Sequence, residues 1–373
     1  MLRIEDAWGA AAMINRGTKT LALPGLISRS ILVFFILKAV YLLLGIYWGS
    51  DAHWLDVFHR NDSSWYAIIA EHGYPVQAPQ PGVESEFAFF PLYPLAVRLL
   101  MFLFGDFQQA AFAFSLLTGM AWIVLMFRLL RLYGWEDFEI FRFLSFFQLL
   151  PFHHFHHVYY TEQLFVVLLT WILLSLEQGQ AIKVFFLSMF LALTRPTGLI
   201  YAATLPLLFL VNLNMGSIKS WLIRCLPLLG APSGLFLWML YLHLHCGDAL
   251  AFSHAQSGWN RSYHWPWESL FNQQALSITL LSLHAILVLL LAGITFRKAG
   301  PGMQIFQAMN LLFPLSTGQV ISFPRYASAN LPLFFQVRKH LTGRFFPIMM
   351  GIAAVLHLFV YYAWVKNLPI WSY

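Results

Sequence analysis

The chain has 373 residues, of which 59% are hydrophobic, 17% aromatic and only 10% charged. A soluble domain carries about 25% charged residues, so this balance excludes an ordinary soluble protein and indicates a polytopic membrane protein. The net charge of +6 does not indicate nucleic-acid binding, because Lys and Arg in a membrane protein chiefly set its topology.

In chain order, residues 1–29 read as a cytoplasmic N-terminus, and "MLRIEDAWGAAAMINRGTKT" shows no cleavable signal peptide. Runs long enough to cross, or nearly cross, the hydrocarbon predict about eleven spans, near 30–49, 109–127, 139–158, 162–176, 182–193, 197–213, 221–245, 273–296, 303–321, 327–337 and 345–365. The segment 88–104 carries Arg98 and two prolines and is expected to be an interfacial or re-entrant helix. With the N-terminus inside, fifteen Lys and Arg fall on the inner side and six on the outer, with Lys38 inside the first span as a snorkelling or packing residue. Counting 88–104 as a full span would reverse that bias. Cys225 and Cys246 fall at opposite ends of one span, so no disulfide is expected.

The outer face collects ten of the sixteen acids and two long loops, 50–87 and 246–272, rich in Trp, Tyr, Phe and His. Loops of this length are functional or disordered, and their aromatic content argues against disorder. In the first, "RNDSSWYAIIAEHGYP" (60–75) reads as an N-cap at Asp62, a short surface helix, a terminating Gly73 and a stop at Pro75. Asp62 is a helix cap, a general base at the membrane surface, or both. "ESEFAFFPLYPLAVRLL" (84–100) places Glu84 and Glu86 before an aromatic, proline-interrupted helix, as solvated or substrate-binding carboxylates.

Further along, "LPFHHFHHVYYTEQLF" (150–165) holds four histidines in five positions. On a helix His153 and His157 stand at the i, i+4 spacing of metal ligands, but an interfacial His/Tyr girdle at a hairpin is the simpler reading. Glu162, at the hairpin tip facing the outer loop, suits a substrate hydroxyl. Arg195 in "ALTRPTG" and Arg325 in "ISFPRYASANLP" lie in apolar sequence at outer span ends. Each either snorkels or binds phosphate, whose oxygens match a guanidinium fork. The second loop, "CGDALAFSHAQSGWNRSYHWPW" (246–267), supplies aromatic rings and amides suited to sugars, or else an aromatic belt.

Taken in order, "RNDSSWYAIIAEHGY", "AFFPLYPL", "YTEQLF", "LTRPTG", "GDALAFSHAQSGW" and "PRY" resemble the motifs of the GPI mannosyltransferase II family of GT-C glycosyltransferases and its bacterial relatives. The resemblance runs from about residue 60 to 326. Asn61 stands where that family has Trp, "YTEQ" replaces "YSES", and Ala249 replaces Pro. The resemblance implies a single all-α GT-C transmembrane domain over 1–373 in a bacterial cytoplasmic membrane, or the ER membrane of a eukaryote. It implies transfer of a sugar, mannose first, from a polyprenyl-phosphate donor to an acceptor hydroxyl at the outer face with inversion. It casts Asp62 as general base, and Arg195 and Arg325 as ligands of the lipid phosphate. Arg60, Glu84, Glu86, His154, Tyr160, Glu162, Gln256, Trp259 and Tyr326 complete the implied substrate site. No metal or cofactor is required by this reading, and a small membrane partner subunit is allowed by it. Transfer of another lipid-linked sugar, and a lipid or solute transporter, are the alternatives. The gathering of polar residues at one face favours surface chemistry over passage.

Overall fold

The computed structural model describes residues 24–49, 53–210, 222–223, 225–271, 276–296 and 301–368. Residues 1–23, the end of the 197–213 segment and the starts of 221–245 and 273–296 lie outside them. All regular structure among the described residues is helical. Four helical segments, Gly25–Trp48, Phe107–Leu132, Leu226–Cys246 and Phe346–Val365, are long and apolar enough to cross a membrane. The chain is therefore an all-α membrane protein.

The first helix, α1 (Pro24–Trp48), shows how such a helix is held. Ser30, Phe34, Lys38 and Tyr41 are buried along one face at helical spacing, while Leu32, Ile36, Leu43 and Tyr47 are exposed on the others. Lys38 does not snorkel. Its ammonium donates to Ser115 Oγ at 2.7 Å and to the carbonyl of His157, and lies 4.4 Å from the centre of the Phe58 ring. Ser115 belongs to α4 (Phe107–Leu132), where Gly119 gives room to Phe34: a Cβ there would meet the ring at 2.2 Å. The loop between these helices contains α2 (Asp62–His72) and leads into α3 (Leu92–Phe104).

The α3 helix has 13 residues, about 20 Å of rise, too short to span alone. Pro94 is accommodated in its first turn, where the missing N–H has no intrahelical partner to lose. Tyr93, Pro94 and Val97 face inward, and Leu95, Leu99, Phe102 and Leu103 remain exposed.

The apolar stretch 139–158 is not one helix. It comprises α5 (Asp137–Gln148) and a 3-10 turn at His153–His156, separated by Pro151. Proline lacks the N–H that a continuing helix needs. The histidines therefore sit in a tight turn rather than at i, i+4 on a helix. They are buried inside the bundle instead of forming an interfacial girdle, with the His153 and His156 rings stacked at 5.2 Å. Among the described residues no three His, Cys, Asp or Glu side chains are placed to hold a metal ion.

The central element is α6 (Glu162–Glu177), apolar all round and buried at 14 of its 16 positions. It packs against α4, α7 (Ala181–Ala192) and α8 (Pro196–Leu210). Next, α9 (Gly230–Cys246) closes on α7 through Gly230 and Gly234, where added Cβ atoms would lie 2.4 and 2.6 Å from the carbonyl oxygens of Phe185 and Met189. Small residues four apart permit this backbone approach in membrane helices. Cys225 and Cys246 flank this helical segment and are free thiols.

The chain continues through α10 (Leu276–Phe296) and α11 (Pro301–Leu315). The segment 327–337 is then broken into α12 (Phe323–Ser328), α13 (Leu331–Phe335) and a 3-10 turn, with Pro332 at the start of α13. Finally, α14 (Phe346–Val365) packs on α1, and Tyr361 donates its hydroxyl to the Tyr41 carbonyl at 2.7 Å.

Truncating Lys38 leaves a void among Phe58, Phe112 and Ser115 and an unsatisfied His157 carbonyl. Lys38→Ala is expected to destabilise the protein by about 2–4 kcal/mol. Denaturant unfolding of the detergent-solubilised protein measures this, and an unchanged midpoint would show that the side chain does not anchor α1.

Candidate functional site

Four charged side chains meet at one end of the bundle, delivered by four segments far apart in sequence. Glu162 is the first residue of α6. Arg195 occupies the turn between α7 and α8, where Pro196 starts the next helix. Arg325 lies in the short α12, directly after Pro324. Asp62 opens α2. Arg195 Nη1 donates to Glu162 Oε1 at 2.8 Å, and Arg325 Nε donates to the same oxygen. Arg325 Nη1 then donates to Asp62 Oδ2. The result is a continuous chain Arg195–Glu162–Arg325–Asp62.

Burial is graded along it. The Glu162 side chain is 0% exposed, Arg195 4%, Arg325 8% and Asp62 24%, so the chain runs from the interior to an accessible carboxylate. Glu162 is thus no exposed hairpin tip, and neither arginine snorkels. Burial opposes the Arg325 charge, but Glu162 and Asp62 more than offset it and hold the guanidinium above its ordinary range. Arg195 lies over the Phe165 ring at 3.9 Å, and its Nε and Nη2 are buried without a hydrogen-bond partner among the described residues. Glu162 Oε2 is likewise without one.

Asp62 is not the N-cap of α2. That position is taken by Asn61, at φ 50° and without a side-chain cap bond, and Asp62 is the first helical residue. Its side chain is thereby free to meet Arg325. Tyr160 fixes the turn, its hydroxyl accepting from the Asp62 N–H at 3.2 Å and donating to the Arg60 carbonyl at 3.2 Å. Burial holds the Tyr160 and Tyr66 phenols well above their usual range, so both stay neutral. Gly73 at φ 83° ends α2 and Pro75 follows, in line with the sequence pattern.

Asp62, Arg195, Arg325 and Tyr326 line a cavity that is partly open to solvent, together with Phe89, Trp259 and Arg261. Trp259 and Phe89 meet edge to face at 5.5 Å, backed by Trp65, whose ring stacks on Phe89 at 5.8 Å. The loop after α9 is strapped over this wall. Gln319 Nε2 donates to the Trp259 carbonyl at 2.9 Å, and Gly258 lies so close to Val83 that a Cβ would stand 2.4 Å from its carbonyl oxygen.

Other candidate residues lie off the cavity. Glu84 is exposed, and Glu86 is half-buried beside Ser85. His154 is buried against Tyr361 and Trp364, and the Arg60 guanidinium lies 5.9 Å from the Trp364 ring. Gln256 stands behind the wall, where it accepts from Arg261. Arg261, Tyr66, Phe89 and Phe90 also line the site; they lie within the quoted motifs but are not among the residues the sequence assigns to substrate. Comparison of the chain with protein-family models, curated proteins and solved structures finds no match.

Removing one member of a buried ion pair is costly because the other charge is left uncompensated. Glu162→Gln is expected to destabilise the protein by about 3–5 kcal/mol, and Asp62→Asn by less, because Asp62 reaches solvent. Unfolding midpoints of the two variants measure this, and equal midpoints would contradict the graded burial.

Proposed function

We propose that the chain is a GT-C-type membrane glycosyltransferase, with about eleven spans and a cytoplasmic N-terminus in a bacterial cytoplasmic membrane. It moves a sugar, mannose first, from a polyprenyl-phosphate donor to an acceptor hydroxyl at the outer face. The observation that carries this reading is the convergence of Asp62, Arg325 and Arg195 on one cavity walled by Trp259 and Phe89, with the buried Glu162 bridging the two arginines behind it. A carboxylate, guanidinium donors and aromatic faces in one cleft match a hydroxyl nucleophile, a phosphate and a sugar ring respectively. The order of motifs from residue 60 to 326 supports the same reading.

In this mechanism Asp62 accepts the proton of the acceptor hydroxyl. Its Oδ2 is held by Arg325 while the side chain remains 24% exposed, so Oδ1 is the oxygen available to the incoming hydroxyl. The hydroxyl oxygen attacks the anomeric carbon from the face opposite the phosphate, which inverts the configuration there. Arg195, whose side chain lines the cavity, supplies guanidinium donors for phosphate oxygens. The neutral phenol of Tyr160 braces the base at its backbone N–H without competing for its proton.

Purified protein in liposomes is expected to transfer or hydrolyse labelled mannose from polyprenyl-phosphate-mannose. Asp62→Asn should lower turnover at least about 100-fold with the fold retained, the scale on which a positioned general base acts. Wild-type turnover that survives the substitution would remove Asp62 from the chemistry.

A further inference from the structure

The ion chain is electrically balanced. It contains two carboxylates, Asp62 and Glu162, and two guanidiniums, Arg195 and Arg325. Neither arginine therefore offers net charge to a substrate anion while Asp62 is ionised. Arg261 differs. It lines the same cavity from the second outer loop, donating from Nη1 to Gln256 Oε1 at 3.0 Å and from Nη2 to Ser322 Oγ at 3.1 Å. Both acceptors are neutral, and Arg261 forms no ion pair among the described residues. Among the described residues, Arg261 is the cavity-lining cation without a carboxylate partner.

That balance acquires a meaning in the transfer reaction, and the inference rests on the transferase reading. The donor is a phosphodiester with one negative charge. A bond forms between the acceptor oxygen and the anomeric carbon, and the bond from that carbon to the phosphate oxygen breaks. The electron pair stays on the phosphate, which becomes a monoester with two negative charges. The acceptor proton moves to Asp62, which becomes neutral. Total charge is conserved, but one negative charge has moved from Asp62 to the phosphate.

We propose that two arginines divide the phosphate charge in sequence: Arg261 binds the intact phosphodiester, and Arg325, losing its partner as Asp62 is protonated, takes the second charge of the leaving phosphate. Arg325 is built for the exchange. Its Nε stays tied to Glu162 while Nη1 faces Asp62, and its guanidinium rests 4.8 Å from the centre of the Tyr160 ring. The fixed end keeps the group oriented toward the cavity it lines, so the transition state gains a preorganised cation without bringing a new charge out of water. Arg261 is thereby a binding residue and Arg325 a leaving-group stabiliser.

Equilibrium binding separates these roles without turnover. Wild type, Arg261→Gln and Asp62→Asn are placed in lipid nanodiscs at about pH 8, where a phosphate monoester has lost its second proton. Each is titrated with a short-chain polyprenyl phosphate and with its hexosyl phosphodiester. Arg261→Gln should weaken both lipids about tenfold or more. Asp62→Asn should tighten the monoester about tenfold while changing the diester much less, because it leaves Arg325 without its outer counter-ion. Asp62→Ser supplies the same comparison should the Asn variant fail to fold. A monoester-to-diester preference unmoved by loss of Asp62 overturns the inference alone, as does an Arg261→Gln protein that binds both lipids normally. Wild-type protein that binds neither lipid overturns the transferase reading together with the inference.

Discussion

The site hangs on one oxygen. Glu162 Oε1 accepts from both Arg195 and Arg325, and its carboxylate is wholly buried at the start of the central helix. An unpaired charge in such a place would be expelled or neutralised, so the carboxylate is stable there only with the arginines around it. The arginines, in turn, are held among Phe165, Tyr160 and Tyr326 by cation–π contacts as well as by the ion pairs. Removing Glu162 would leave two buried guanidiniums facing each other. This carboxylate thereby links α6 to the turn before α8, to α12 and, through Arg325, to α2.

Coupling a loop to a bundle in this way serves function as well as stability. Packing by apolar contact alone would not fix α2 in rotation or register. The Arg325–Asp62 contact does so, and Tyr160 adds a second tie at the Arg60 and Asp62 backbone. The aromatic wall is positioned independently, by the strap from Gln319 to Trp259 and the close approach of Gly258 to Val83. A charged floor and an aromatic wall are thus set by different elements and meet at the cavity.

Much of the site is legible in the sequence because charge in apolar sequence has to be compensated somewhere. Asp62, Glu162, Arg195 and Arg325 stand out on that ground, and Trp259 and Tyr326 follow from their neighbours. Their pairing is not legible, since the partners lie 33, 163 and 263 positions apart. Glu162 reads as a hairpin tip because nothing local reveals that the hairpin is buried. Asp62 reads as an N-cap because Asp is a good one, but Asn61 takes that position. The breaks in 139–158 and 327–337 are marked by Pro151 and Pro332, which an apolar run tends to conceal. The buried fate of Lys38 and the role of Arg261 depend on contacts from other helices and loops, and no periodicity encodes them.

The account treats the four charges as one unit, and a double-mutant cycle on Asp62→Asn and Glu162→Gln tests that most directly. The two carboxylates do not touch; they share only Arg325. With unfolding free energy in detergent as the readout, the account predicts a coupling of at least about 1 kcal/mol, because the double variant strips Arg325 of both counter-ions. Additivity within about 0.3 kcal/mol would contradict it, reducing the chain to two independent ion pairs.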